Sequence, residues 1–98
     1  MTVVSVLPLA VRPGAEDDLV RLFAELAVFE RAKRSGGFVG GRLLRPLAPG
    51  DPFLVIADWE SADSYQGWLE NPVRDELAAW LEPLLADEVA PGGLYEDA

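Results

Sequence analysis

The stretch PFLVIADWE, residues 52–60, is apolar at both of its alternating positions, and this constrains the fold more than any other feature of the chain. Successive side chains of a strand point to opposite faces. Phe53, Val55, Ala57 and Trp59 therefore share one face, and Leu54, Ile56, Asp58 and Glu60 share the other. A strand with one face in water carries polar residues there. Here polarity arrives on that face only at its last two positions. Residues 3–11, VVSVLPLAV, repeat the pattern, with Val3, Leu7, Leu9 and Val11 opposite Val4, Val6 and Ala10. A sheet built from these strands needs cover on both sides.

The rest of the chain shows what can supply that cover. Arg12-Pro13-Gly14 punctuates a turn after the first strand. Residues 15–34, AEDDLVRLFAELAVFERAKR, open with acids and close with bases, as the helix dipole favours, and read as one helix. Leu19, Leu22, Phe23, Leu26 and Phe29 recur on its apolar face. Ser35-Gly36-Gly37 ends it, and residues 38–46, FVGGRLLRP, form a second strand, weakened or bulged at Gly40-Gly41. The short LAPGD loop makes the third strand, 52–60, antiparallel to the second. Ser61 caps a short helix, ADSYQGWLE, and Asn71 caps another that starts at Pro72. Val73, Leu77, Trp80, Leu81, Leu84 and Leu85 form the second helix's stripe, and Pro83 tightens its end. A short fourth strand lies around Leu94-Tyr95.

The order β-α-β-β-α-β, in a chain of 98 residues, predicts an α+β ferredoxin-like sandwich over residues 1–98: a four-stranded antiparallel sheet with helices on one face. The helices cover only that face, so the expected cover for the other is a second copy of the chain in a symmetric homodimer. Pro8 falls in what would be a central strand and predicts a bulge there, since proline cannot donate to the ladder.

Composition removes most chemistries. There is no cysteine and no histidine, hence no thiolate nucleophile, no disulfide, and neither the usual neutral-pH base nor the commonest metal ligand. Seventeen acids against eight bases give a net charge of -9, which disfavours nucleic acid and anionic membranes as partners. No apolar run is long enough to span a bilayer, and the start lacks the basic region of a secretion signal, so a cytoplasmic location is expected. Plentiful glycine, alanine, arginine and proline beside a single lysine suggest a GC-rich bacterial source.

Two segments carry a resemblance. VRPGAEDDLVRLFAELA resembles the strand-to-helix opening of the antibiotic biosynthesis monooxygenase (ABM) domains, and FLVIADWESADSYQGWLENP is similar to their strand-Trp-Glu-helix segment. The resemblance implies a dimeric α/β barrel formed by pairing two ferredoxin-like sheets. It also implies oxidation of a small phenol, quinol or polyketide-like substrate by O2 without metal, flavin or other cofactor, the ionised substrate itself passing an electron to oxygen. Trp59 and Tyr65 match the family's pocket tryptophan and tyrosine and are the candidate catalytic residues, an indole N–H and a phenol O–H aimed at substrate oxygens. Two departures accompany the match. Monooxygenase members carry an asparagine four positions before the tryptophan, where this chain has Val55, and the haem-degrading branch ligates iron through a histidine, of which this chain has none.

Each aromatic also has a packing role open to it. Trp59 suits a core position or a pocket wall. Tyr65 needs a partner for its hydroxyl when buried, and Trp68 shares its helix face. Phe23, Trp68 and Trp80 are the expected substrate-binding walls if a pocket opens, and otherwise core. Asp58 and Glu60 project away from Trp59 and are expected in solvent or in a dimer ion pair with Arg42 or Arg45, and Arg12 in water at a strand end. Two functions follow: a cofactor-independent monooxygenase or a related isomerase or cyclase, or a non-catalytic dimeric barrel that binds a hydrophobic small molecule or serves as an assembly module.

Overall fold

A computed structural model describes residues 2–98. The elements run β1 (Val3–Leu9), α1 (Glu16–Glu25), α2 (Val28–Arg34), β2 (Phe38–Leu44), β3 (Phe53–Trp59), α3 (Ala62–Leu69), α4 (Pro72–Leu81), a 3₁₀ turn (Glu82–Leu84) and β4 (Gly93–Tyr95). The four strands form one antiparallel sheet in the order β2-β3-β1-β4, the expected ferredoxin-like arrangement.

The register places the residues of the inner face opposite one another: Val3 with Trp59, Ser5 with Ala57, Leu7 with Val55 and Leu9 with Phe53. The helices pack on this face. Leu9, Leu19, Phe23, Phe53, Leu81 and Leu85 form one buried cluster, and Ala32, Ala57, Trp59, Tyr65, Trp68 and Leu77 form a second. Trp59, Phe53 and Leu19 are the largest fully buried side chains, and burial of each contributes about 1.5–3 kcal/mol. On the outer face, Val4, Val6, Leu54 and Ile56 are paired in register yet belong to neither cluster.

The expected single helix over 15–34 is two. Leu26 ends α1 and Ala27 takes a left-handed conformation, φ 49°, before α2 begins. Nothing in the local sequence forbids a continuous helix; the break lets Phe23 serve the first cluster while Ala32 serves the second. The bulge expected at Pro8 is also absent. Pro8 pairs with Leu54 without a register shift, because β4 meets β1 only at Val4–Val6 and Pro8 has a neighbouring strand on one side alone. The irregularity falls in β2, between Phe38 and Gly40, beside the expected Gly40-Gly41 weakness.

Both predicted caps form. Ser61 Oγ accepts from the Ser64 amide at 3.1 Å, and Asn71 Oδ1 accepts from the Val73 amide at 3.0 Å, orienting α3 and α4 beneath the sheet. Pro83 lies in the 3₁₀ turn that closes α4. Among the described residues, no helix is long and apolar enough to cross a membrane. Arg12 is not simply solvated: its Nε donates to the Leu85 carbonyl at 2.9 Å, tying the end of β1 to the chain beyond α4. Within the chain, Arg45 pairs with Asp17 at 2.8 Å.

Candidate functional site

Between the sheet and the helices lies a cavity of about 610 Å³, within the usual range of small-molecule sites. Leu7, Leu9 and Val55 from the strands form its roof, and Phe23, Val28, Trp68, Leu77 and Leu81 from the helices form its floor and walls. Arg74 enters the lining from α4, and Glu82, Asp87 and Glu88 stand in the segment that follows that helix. Beside it is a second, much smaller space of about 50 Å³, lined by Ser5, Phe29, Phe38, Ala57, Trp59 and Tyr65. Leu7, Val28, Val55, Trp68 and Arg74 line both.

The small cleft owes its size to a run of rings. Phe23 meets Phe29 edge-on at 5.2 Å, Phe29 stacks near Phe38 at 5.9 Å, and Phe38 meets Trp59 at 5.3 Å. Trp59 in turn contacts Tyr65 at 5.6 Å and Trp68 at 6.5 Å. Such pairs add about 0.5–1.5 kcal/mol each beyond area burial. Gly41 permits the approach of Phe29, since a Cβ there would overlap the ring at 2.5 Å.

Trp59 is only 1 % exposed, and its indole N–H donates to Ser5 Oγ at 3.0 Å. Ser5 lies 3.5 Å from the Ala57 carbonyl and passes its own hydroxyl proton there, so this buried polar chain is satisfied from within. The indole N–H is thus engaged by the protein rather than facing the larger cavity. Tyr65 differs. Its hydroxyl has no hydrogen-bond partner among the described residues, yet it is not a sealed, unsatisfied group, so it reaches accessible space. A methyl group added at Gly92 would stand 3.1 Å from Tyr65 Oη, which sets that hydroxyl against the backbone leading into β4.

The five residues singled out in the sequence therefore separate. Phe23 and Trp68 line the larger cavity, and Trp59 and Tyr65 line the small cleft next to it. Trp80 lines neither and is 60 % exposed, which corrects its expected place in the core or a binding wall. The seam of α4 runs through Leu77 and Leu81, and Trp80, one position before Leu81, sits about 100° around the helix from it. Sequence reasoning missed Ser5, whose signal was a lone hydroxyl in an apolar strand. It also missed Arg74, a cation in the first turn of a helix, where the dipole disfavours it. Val55, at the position where the resemblance noted in the sequence implies an asparagine, is part of the cavity roof, so that point of the wall is apolar here.

Comparison with known proteins bears on this arrangement. Residues 2–80 match the antibiotic biosynthesis monooxygenase family. A mycobilin-producing haem oxygenase of Mycobacterium tuberculosis is 35 % identical over 72 residues, spanning 74 % of this chain and 67 % of the relative. Among solved structures, SnoaB, a cofactor-independent oxygenase from Streptomyces nogalater, is 29 % identical with a TM-score of 0.78, over 99 % of this chain and 93 % of that one. The haem-degrading protein MhuD of M. tuberculosis is 28 % identical with a TM-score of 0.78, over 97 % and 94 % of the two chains. A monooxygenase-like protein from Bordetella bronchiseptica, 19 % identical with a TM-score of 0.83 over 99 % and 97 % of the two chains, shares the fold. With its βαββαβ order, its cavity between sheet and helices and a family match from residue 2 to residue 80, the chain belongs to the antibiotic biosynthesis monooxygenase family.

Proposed function

We propose that the protein is a cofactor-independent monooxygenase that oxidises a small phenol, quinol or polyketide-like aromatic with O2. The observation that carries this reading is the apolar cavity of about 610 Å³, large enough for a fused aromatic and bordered by Phe23 and Trp68. In such a reaction the bound substrate loses a proton, the resulting anion passes an electron to O2, and recombination gives a hydroperoxide. Loss of water leaves one oxygen atom in a quinone and the other in the water. The cavity contributes by excluding bulk water and holding the ring. Tyr65, whose hydroxyl is free of internal partners, is the candidate donor to a developing oxyanion, and Trp59 acts in this reading as the buried wall that holds Tyr65 in place.

Haem is the alternative raised by the M. tuberculosis relatives, and the donor set does not fit it. The chain has no histidine or cysteine, and the lining of the larger cavity offers no imidazole, thiolate, thioether or phenolate for iron, Tyr65 lining only the cleft of about 50 Å³. No group of three acidic, histidine or cysteine side chains suited to a metal ion exists among the described residues.

The reading includes a homodimer paired through the outer sheet face. Its support is the apolar row of Val4, Val6, Leu54 and Ile56, together with exposed Leu44 and Tyr95 on the flanking strands. Light scattering at micromolar concentration should give twice the chain mass, and a monomer there would remove this part of the reading.

The decisive assay follows oxygen uptake with hydroquinones and anthrones against the uncatalysed rate. Uptake that falls on Tyr65→Phe while ligand binding persists supports the assignment. Tight binding of the same compounds with no uptake above background would leave the protein as a non-catalytic binder.

A further inference from the structure

The lining of the larger cavity is apolar except for four charged residues. Glu82, Asp87 and Glu88 are exposed and border that cavity alone. Arg74 is different: it is half-buried, and it is the one charged residue that lines both the cavity and the aromatic cleft. Its guanidinium makes no ion pair and no side-chain hydrogen bond among the described residues, in a chain with seventeen carboxylates. Arg12, Arg21 and Arg45 each engage a carbonyl or carboxylate, and Arg31, Arg34 and Arg42, which like Arg74 have no such partner among the described residues, border neither space. Arg74 also occupies the first turn of α4, where the helix dipole opposes a cation. Neither helix stability nor ion pairing accounts for it.

We infer that Arg74 receives a carboxylate on the ligand, so that the substrate class is an aromatic carboxylate whose rings fill the apolar cavity and whose charged group lies at the junction with the Trp59-Tyr65 cleft. A guanidinium presents paired N–H donors that match the two oxygens of a carboxylate, and partial burial strengthens that charge-assisted contact. The same contact fixes which end of the ligand lies near Trp68 and the Tyr65 hydroxyl, making Arg74 a specificity-determining residue. The inference rests on the reading of the cavity as the ligand site and deepens it by naming the charge the ligand carries.

The test compares 2-naphthoate with its neutral isostere 2-naphthamide by titration of tryptophan fluorescence, confirmed by calorimetry. Wild-type protein should bind the naphthoate about tenfold more tightly or better. The gap should close to about twofold in Arg74→Gln, survive in part in Arg74→Lys, which keeps the charge without the fork, and persist in full in Arg21→Gln. Equal affinity for the two probes in the wild type, or a gap that survives Arg74→Gln, would overturn the inference. Failure of both probes to bind would overturn it together with the cavity reading. A naphthoate preference that depends on Arg74, in a protein that consumes no oxygen with any aromatic, would uphold the inference and overturn the monooxygenase reading alone.

Discussion

The two ends of the sandwich are built from different materials and finish in different states. At one end Trp59, Tyr65, Trp68, Phe38 and Phe29 fill the space between sheet and helices until about 50 Å³ remains. At the other, leucines, valines, Phe23 and one side of Trp68 border about 610 Å³ that is partly open to solvent. The aromatic residues that stand out in the sequence thus mark the closed end, and the room for a ligand lies among residues that look like ordinary core. Rings interlock edge to face and leave little between them. Branched aliphatic side chains held on separate helices cannot close every gap they border.

The contrast predicts unequal responses to substitution. Trp59→Ala should be the most damaging single change, because it opens a large void in the end that is nearly filled; a loss of about 3–5 kcal/mol in urea unfolding is expected. A loss below about 1 kcal/mol would mean that the aromatic end is not closely packed in solution. Ser5→Ala should destabilise by about 1–3 kcal/mol, because it strands the buried Trp59 N–H without a partner. Wild-type stability in Ser5→Ala would show that the indole finds water instead.

At the open end the signs change. Ala78→Phe projects a ring into the cavity and should lower affinity for naphthalene-sized ligands about tenfold or more, with stability held to within about 1 kcal/mol. Unchanged ligand affinity in that variant would place the binding site elsewhere. Trp80→Ala tests the outside of the same helix. Its side chain is 60 % exposed, so stability should move by no more than about 0.5 kcal/mol and ligand affinity not at all.

The sequence made the architecture readable because several local signals agreed. Two strands apolar on both faces, acids and bases at opposite ends of the first helical stretch, and caps at Ser61 and Asn71 all pointed to one sheet with helices on one side. The break at Ala27 was hidden, since every residue from Glu25 to Phe29 is compatible with a helix and none of them signals a left-handed turn. Trp80 misled for a related reason. Helical periodicity marks an apolar stripe but does not say how wide a strip the neighbouring layer covers, and here contact narrows to Leu77 and Leu81. Trp59 and Tyr65 were found by their resemblance to a family pattern. The cavity was not, because empty space has no residue of its own and depends on where the helices come to rest.

Ala27 gives the molecule a way to change one job at a time. With α1 and α2 joined by a left-handed residue rather than a continuous helix, the segment that carries Phe23 toward the cavity is separated from the one that carries Ala32 toward the aromatic cluster, with Val28 at their boundary. Phe23 still meets Phe29 edge-on across that joint, so the one ring contact that leads from α1 toward the residues bracing Trp59 runs through this pair. A descendant of this chain that keeps the pair could thus acquire a different ligand while inheriting its tryptophan-serine lock unaltered.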